Sequence, residues 1–480
     1  MDQYEQRRAE FMKHIGDEIA VVSASTETLR NNDTHHTFHQ ASNFFFLTGF
    51  GEPEAVALFD PAHDEPYVLF VRPHDPELEA WNGRRAGVDG AVADLGADAA
   101  YPIEDLAKVL RGRLLGREAL WFTIGGPYDS QVLGAVDRAR AHHLRTGVAV
   151  PTAIRDAAAL LGEMRVIKSE DEIELMREAC RISAEGHAEA MRFAAPGITE
   201  YAVQTAMEYT WRSLGAVHDG YPSIVASGEN ACILHYTEND RRMEDGDLLL
   251  VDAAAEVGHM SADITRTFPV NGVFTAPQRA VYDVVLAAQE DVIAACKPRL
   301  PYSDMHDIAV KTLTEGMVDL GMLPGPVDDA IGFGWYRQFY FHGTGHWLGL
   351  DVHDSGAYRF DGEGRPLEPG MIFTIEPGIY VASDKATIEL HREPYDAQAA
   401  LDFAYLEGAA EAKRVTEERK QAADSLTHTV PEEYLGIGVR IEDDVLVTAD
   451  GIENLSRGVP VDPDEIEALA GEGSVVGRGS

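Results

Sequence analysis

Four kinds of acidic motif and one histidine motif in the second half of the chain could do chemistry together. They are Asp252 in LLLVDAAAE, Asp263 in SADITRTFP, His346 in FHGTGHWLGLDVHD, Glu376 in FTIEPGIY and Glu442 in GVRIEDDVLV. Carboxylates can bridge two divalent ions, and ions roughly 3.5–4 Å apart share a water whose pKa falls until it is hydroxide near neutrality. Such a set points to hydrolysis. Each acid lies in or beside a short β-branched or apolar run with strand character. Core strands seldom carry bare acids, because an unpaired buried carboxylate is costly. Their recurrence in one segment therefore implies one shared site.

The elements that must position these groups are legible from periodicity. Helices are predicted over 170–193, 199–214 and 277–296, with apolar strands between them carrying the acids. Asp252 and Asp263 belong to one candidate hairpin across the turn EVGHMS, and Glu376 and Glu442 to another. Earlier in the chain, a helix over 4–15 precedes the strand IAVVSAS, the aromatic cluster SNFFFLTGF and the strands AVALFD and PYVLFVR. That succession reads as an α/β domain. Ser169 ahead of Glu172 predicts a capping box opening a long amphipathic helix. The boundary is accordingly placed near Glu163 to Lys168, giving domains 1–165 and 166–480.

The motifs DITRTFPVNG, HGTGHWLGLDVHD, TIEPGIY and GVRIEDD resemble those of the Xaa-Pro aminopeptidase (aminopeptidase P) family of pita-bread metallopeptidases. YEQRRAEFM and HQASNFFFLTGFGEPEAVALF are similar to the amino-terminal domain of that family. The resemblance implies an α+β fold in which a curved antiparallel sheet with pseudo-twofold symmetry follows a smaller α/β domain. It implies two divalent ions, manganese by likeness. Asp252 and Asp263 would hold the first, His346 and Glu376 the second, and Asp263 and Glu442 would bridge. Glu376 would double as general base, while His235, His342 and His353 would line the cleft and Arg440 and Tyr380 would orient ligands or substrate. The expected substrate is a peptide with proline in second position, and the expected assembly a homodimer or homotetramer. Trp81 resembles a residue that reaches a neighbouring subunit's cleft, with a packed indole as the alternative.

Two departures stand out. Ala254 replaces a glycine usual in DAGAE, which implies ordinary φ there. Residues 383–430 read as an insertion with a helical, charged centre: a surface excursion, a lid or an oligomer contact. Within the same fold the rival is prolidase, which cleaves only the dipeptide. Creatinase is disfavoured because all the ligands are present, and a catalytically silent binding module is disfavoured for the same reason.

Charge sets further bounds. Asp and Glu number 81 against 40 Lys and Arg, a net charge of −41 over 480 residues. Such a surface repels nucleic acid and anionic membranes, so neither is expected as a partner. The acids are dispersed rather than gathered in a tail, which suggests adaptation to high salt, with an ordinary acidic cytosolic enzyme as the alternative. Three cysteines without CxxC spacing suggest neither a disulfide framework nor a thiolate zinc site. The first twenty residues lack an apolar core and no run of 18 apolar residues occurs, so a cytoplasmic protein is expected.

Overall fold

The computed structural model describes residues 2–396, 400, 403, 405–406 and 408–476. It divides into two compact units, Met1–Arg165 and Val166–Ser480.

The first unit is built on a mixed six-stranded sheet. Its central strand Ile19–Ser23 pairs antiparallel with Val56–Phe59 and parallel with Ala119–Trp121. Tyr67–Val71 and Ala99–Pro102 extend one side, and Ala153–Arg155 ends the other. The runs VALF and YVLFV are apolar throughout and fully buried, as strands covered on both faces must be. Ile19, Val21, Leu58 and Phe70 pack on Leu106, Leu110, Val132 and Val136 of two helices. Phe59 meets Phe11 of the first helix, Gln3–Ile15, edge to face at 5.2 Å. Trp81 is 86% exposed, which removes the packed-indole reading.

The second unit opens on the helix Glu170–Phe193. The Ser169 side chain accepts from the Glu172 amide, and the Glu172 carboxylate accepts from the Ser169 amide at 2.9 Å. The capping box thus holds this helix start, and Ile173, Met176 and Cys180 lie along one buried stripe. Glu200–Ser213, Ala276–Ala295 and Tyr302–Asp319 are the other long helices here. The strand Leu248–Asp252 is buried along its whole length between Ile224–Ser227 and Thr265–Pro269. A second antiparallel set joins Ile372–Ile375 to Asp443–Val447 and Gly378–Val381 to Ile437–Arg440. The two sets meet where the Thr267 hydroxyl donates to the Arg440 carbonyl at 3.0 Å.

Within the expected insertion, Thr387–His391 pairs with Ser425–Thr429, and the helix Ala409–Ala422 buries none of its residues. Residues 397–399, 401–402, 404 and 407 of that span lie outside the described residues. Ala254 has no positive φ. Among the described residues no helix is long and apolar enough to cross a membrane.

Candidate functional site

Strand pairing brings the acids together. Asp252 ends its strand and is registered opposite Thr265, so Asp263, two residues earlier, comes to the same end of the hairpin. Glu376 and Glu442 converge in the same way, because Ile375 is registered opposite Asp443. The Glu442 amide donates to the Thr265 carbonyl at 3.0 Å, and the Thr265 hydroxyl donates to the Glu442 carboxylate at 2.6 Å. Those two bonds join the halves of the site.

His346 arrives on a loop rather than a strand. Its carbonyl accepts from the Thr374 amide at 3.0 Å, and its amide donates to the Thr374 hydroxyl at 3.2 Å. So close a docking leaves no room at Gly345, where a Cβ would stand 1.9 Å from the Thr374 carbonyl oxygen. Glycine is required there by approach rather than by φ.

The His346 ring donates from Nδ1 to the Trp347 carbonyl at 3.1 Å, which turns Nε2 toward Asp263 Oδ2 at 3.3 Å and Glu376 Oε1 at 3.9 Å. Nε2 facing carboxylate oxygens must share a positive charge with them, as a proton on the ring or a cation between. The carboxylates themselves make the same demand. Burial, then repulsion from Asp263 and Glu376, holds Glu442 well above the usual carboxylate range. Burial also raises Asp252, against the opposing charge of Arg440, and pushes Glu376 up to about 7. For His346 burial opposes the charge, but Asp263 outweighs it and lifts the imidazole to about 9. Donor atoms of Asp263, His346 and Glu442 lie within 4.8 Å of one another. A donor set of this kind, with the second imidazole nitrogen held by a backbone carbonyl, fits divalent cations.

Arg440 and Tyr221 brace the site. Arg440 donates to the Asp252 carboxylate, to the Tyr380 hydroxyl at 3.0 Å and to the Thr265 hydroxyl at 3.2 Å. The Tyr221 hydroxyl donates to Asp252 at 2.6 Å. From Arg440 a relay continues, since Tyr380 donates to His342 Nε2 at 2.9 Å while His342 Nδ1 donates to the Gly343 carbonyl at 2.7 Å. Burial, with Arg440 adding to it, takes His342 down to about 3. The His353 ring lies 4.3 Å from that of His346, and burial together with that neighbour lowers it. His235 stands on an exposed loop position.

All of the ligand candidates, with His235, His342, His353 and Arg440, line one cavity of about 440 Å³. Tyr221, Pro222, Ile224, Leu234 and Val352 give it an apolar wall. Sequence reasoning missed Tyr221, Thr265, Arg266 and Asp444. Asp444 accepts the Asp263 amide at 3.0 Å, and Arg266, fully buried, donates to the Glu442 carbonyl at 2.6 Å. A usable signal existed for Thr265 and Arg266, which occupy DITRT beside Asp263, and for Asp444, which ends GVRIEDD beside Glu442.

Comparison with known proteins gives consistent results over the whole chain. Residues 174–449 match metallopeptidase family M24, and residues 4–121 match the aminopeptidase P N-terminal domain. The Xaa-Pro aminopeptidase of Haemophilus influenzae is 40% identical over 475 residues, covering 98% of this chain and 97% of that protein. The Escherichia coli Xaa-Pro aminopeptidase is 38% identical over 455 residues, covering 94% and 93%. Among solved structures, Pseudomonas aeruginosa aminopeptidase PepP superposes with a TM-score of 0.86 at 40% identity, with 97% of each chain covered. Zinc-substituted E. coli aminopeptidase P in complex with product gives 0.85 at 37%, covering 98% of this chain and 97% of that one.

Proposed function

This chain belongs to metallopeptidase family M24 and carries the aminopeptidase P amino-terminal domain, and from that premise we propose how its residues divide the work. It is a metal-dependent aminopeptidase of pita-bread fold that hydrolyses the bond between an amino-terminal residue and a following proline. The observation that carries the site assignment is the convergence of Asp263, His346 and Glu442 donor atoms within 4.8 Å at the base of the cavity.

Asp252, Asp263, His346, Glu376 and Glu442 would together hold the divalent ions at the base of the cavity. The ions supply Lewis acidity and an activated water at neutral pH. Four carboxylates and one imidazole form an oxygen-rich set that favours a hard or borderline ion, and the resemblance to aminopeptidase P makes manganese the proposed metal. Glu376 serves as general base: it takes the proton of the attacking water and carries it toward the leaving nitrogen. His235 and His353 donate to the substrate carbonyl from the cavity wall. His342 is held neutral by its burial and by Arg440, and its Nε2 accepts from the Tyr380 hydroxyl, which orients the ring at the cavity wall. Arg440 fixes Asp252 and keeps the Tyr380 hydroxyl aimed at His342. Proline contributes a tertiary amide with no N–H, so the apolar wall of Ile224, Leu234 and Val352 suits the substrate's side chains better than a donor array would.

The dispersed acidic charge supports a salt-adapted enzyme. Exposed Trp81 supports a homodimer or homotetramer. The test of the function compares an Xaa-Pro-Xaa tripeptide with the Xaa-Pro dipeptide after Mn²⁺ reconstitution, with Asp263→Ala as control. Release of the first residue from the tripeptide, abolished in the variant, is expected. Cleavage of the dipeptide alone would move the protein to prolidase chemistry.

A further inference from the structure

One wall of the cavity has little regular structure of its own. Leu234, His235 and Thr237 line the cavity from a segment whose one regular piece is the short 3-10 turn Gly228–Cys232. A wall that must meet a substrate cannot be left to wander, and the groups that restrain it lie on the helix Glu200–Ser213.

Glu200 opens that helix and is fully buried. Its Oε1 accepts from the Ser227 amide and hydroxyl, both at 2.6 Å, and from Asn230 Nδ2 at 3.2 Å. Its Oε2 accepts from the Tyr236 hydroxyl at 2.8 Å and the Arg241 amide at 2.9 Å. Those donors bracket the segment and fill a carboxylate's roughly four lone-pair sites. Tyr236 is turned inward to Glu200 while its neighbours His235 and Thr237 face outward. Arg241 closes the arrangement by donating to the Ser227 hydroxyl at 2.7 Å.

One helical turn further on, Gln204 accepts from Asn239 Nδ2 at 3.0 Å. Asn239 is buried with φ 51°, a left-handed conformation that asparagine tolerates. The same side chain donates to the Ser223 carbonyl at 2.8 Å and accepts from the Val225 amide at 2.9 Å. It therefore ties the His235 segment to Tyr221, Pro222 and Ile224, which also line the cavity.

We propose that Glu200, seconded by the Gln204–Asn239 pair, is the positioning element of the substrate wall: it sets where His235 and Leu234 stand without touching substrate or metal. The carboxylate form is required. An amide of the same shape at position 200 would turn an NH2 group toward one pair of donors and release one end of the segment.

The inference rests on His235 facing the substrate, so His235→Ala is measured alongside. Glu200→Gln, Asn239→Gly and His235→Ala are compared on an Xaa-Pro-Xaa tripeptide, with bound Mn²⁺ counted and amide exchange followed. Glycine accepts φ 51°, so Asn239→Gly removes the side-chain bonds without backbone strain and carries the test should Glu200→Gln fail to fold. Both clasp variants are expected to raise KM about tenfold with kcat changed less than about threefold and full metal content. The Ser227 and Arg241 amides should exchange faster in Glu200→Gln, while Leu248–Asp252 keeps its protection. Unchanged KM in both clasp variants, with His235→Ala impaired, overturns the inference. A wild-type His235→Ala overturns the reading beneath it. Activity lost only in proportion to folded protein, at constant KM, reduces Glu200 to a fold-stabilising group.

Discussion

Gly345→Ala is the sharpest perturbation the site offers. The added carbon would lie 1.9 Å from the Thr374 carbonyl oxygen and 2.9 Å from its carbon. A tolerable carbon-to-oxygen approach is about 3.3 Å, so the loop must withdraw by more than ~1 Å. Withdrawal strains the contacts that seat it: Thr374 amide to His346 carbonyl at 3.0 Å, His346 amide to Thr374 hydroxyl at 3.2 Å, and Glu376 amide to Thr344 carbonyl at 2.8 Å. At about 1 kcal/mol each the loss is about 3 kcal/mol, comparable with ordinary overpacking. A unit of this size then melts roughly 4–5 °C lower. The larger effect falls on chemistry, because His346 Nε2 leaves its 3.3 Å station opposite Asp263. Displacement of that order costs about 10²-fold in rate. Tripeptide kcat/KM and calorimetric Mn²⁺ titration measure it, with Gly343→Ala as control, where the added carbon meets nothing nearer than 3.8 Å. The reasoning fails if Gly345→Ala stays within about threefold of wild type, or if both alanines are equally harmful.

Two further outcomes follow from the buried charge and the surface charge. Burial, with Arg266 assisting, takes His187 from the usual imidazole range down to about 4. The unfolded state therefore binds an extra proton between about pH 6.5 and 4, so stability is full above that window and falls as pH drops through it, by about 3 kcal/mol from this group. His187→Gln, which keeps a donor for the Ala253 carbonyl now reached at 2.8 Å, should flatten that acid limb in urea unfolding of the EDTA-treated protein; parallel curves would refute the assignment. The net charge of −41 implies self-repulsion that salt relieves, as the Debye length falls from ~10 Å at 0.1 M to ~3 Å at 1 M. The melting temperature and activity should both rise from dilute buffer to multimolar KCl, and full stability in dilute buffer would remove the salt-adapted reading.

The acids of IEDDV show what a sequence can and cannot say about such a site. Strands alternate their faces, so Glu442 and Asp444 point one way and Asp443 the other. Glu442 meets Thr265, and Asp444 meets the Asp263 amide and the Cys180 thiol at 3.2 Å. Asp443 instead receives Arg266 at 2.6 Å and Asn454 at 2.7 Å. All three lie in the motif GVRIEDD, but only Glu442 stands out beforehand, because the family resemblance gives that position a ligand role. The work of its neighbours depends on partners 177 and 181 residues away in the chain.

The same distinction explains the rest. Helix Glu170–Phe193 was legible because its cap and its stripe are local, and the α+β pita-bread fold was legible because its motifs come in order. Glu200 was not legible, since an acid opening a helix ordinarily serves only the helix dipole, whereas here it gathers donors from Ser227 to Arg241. Buried acids in this protein therefore fall into two kinds that composition cannot separate. Burial raises the pKa of Asp252, Glu376 and Glu442, neighbouring carboxylates add to it, and such a set suits the proposed cations. Glu200 and Asp443 have their charge met by N–H and O–H donors already present. The first kind marks where metal chemistry belongs, and the second marks the scaffold that keeps it in register.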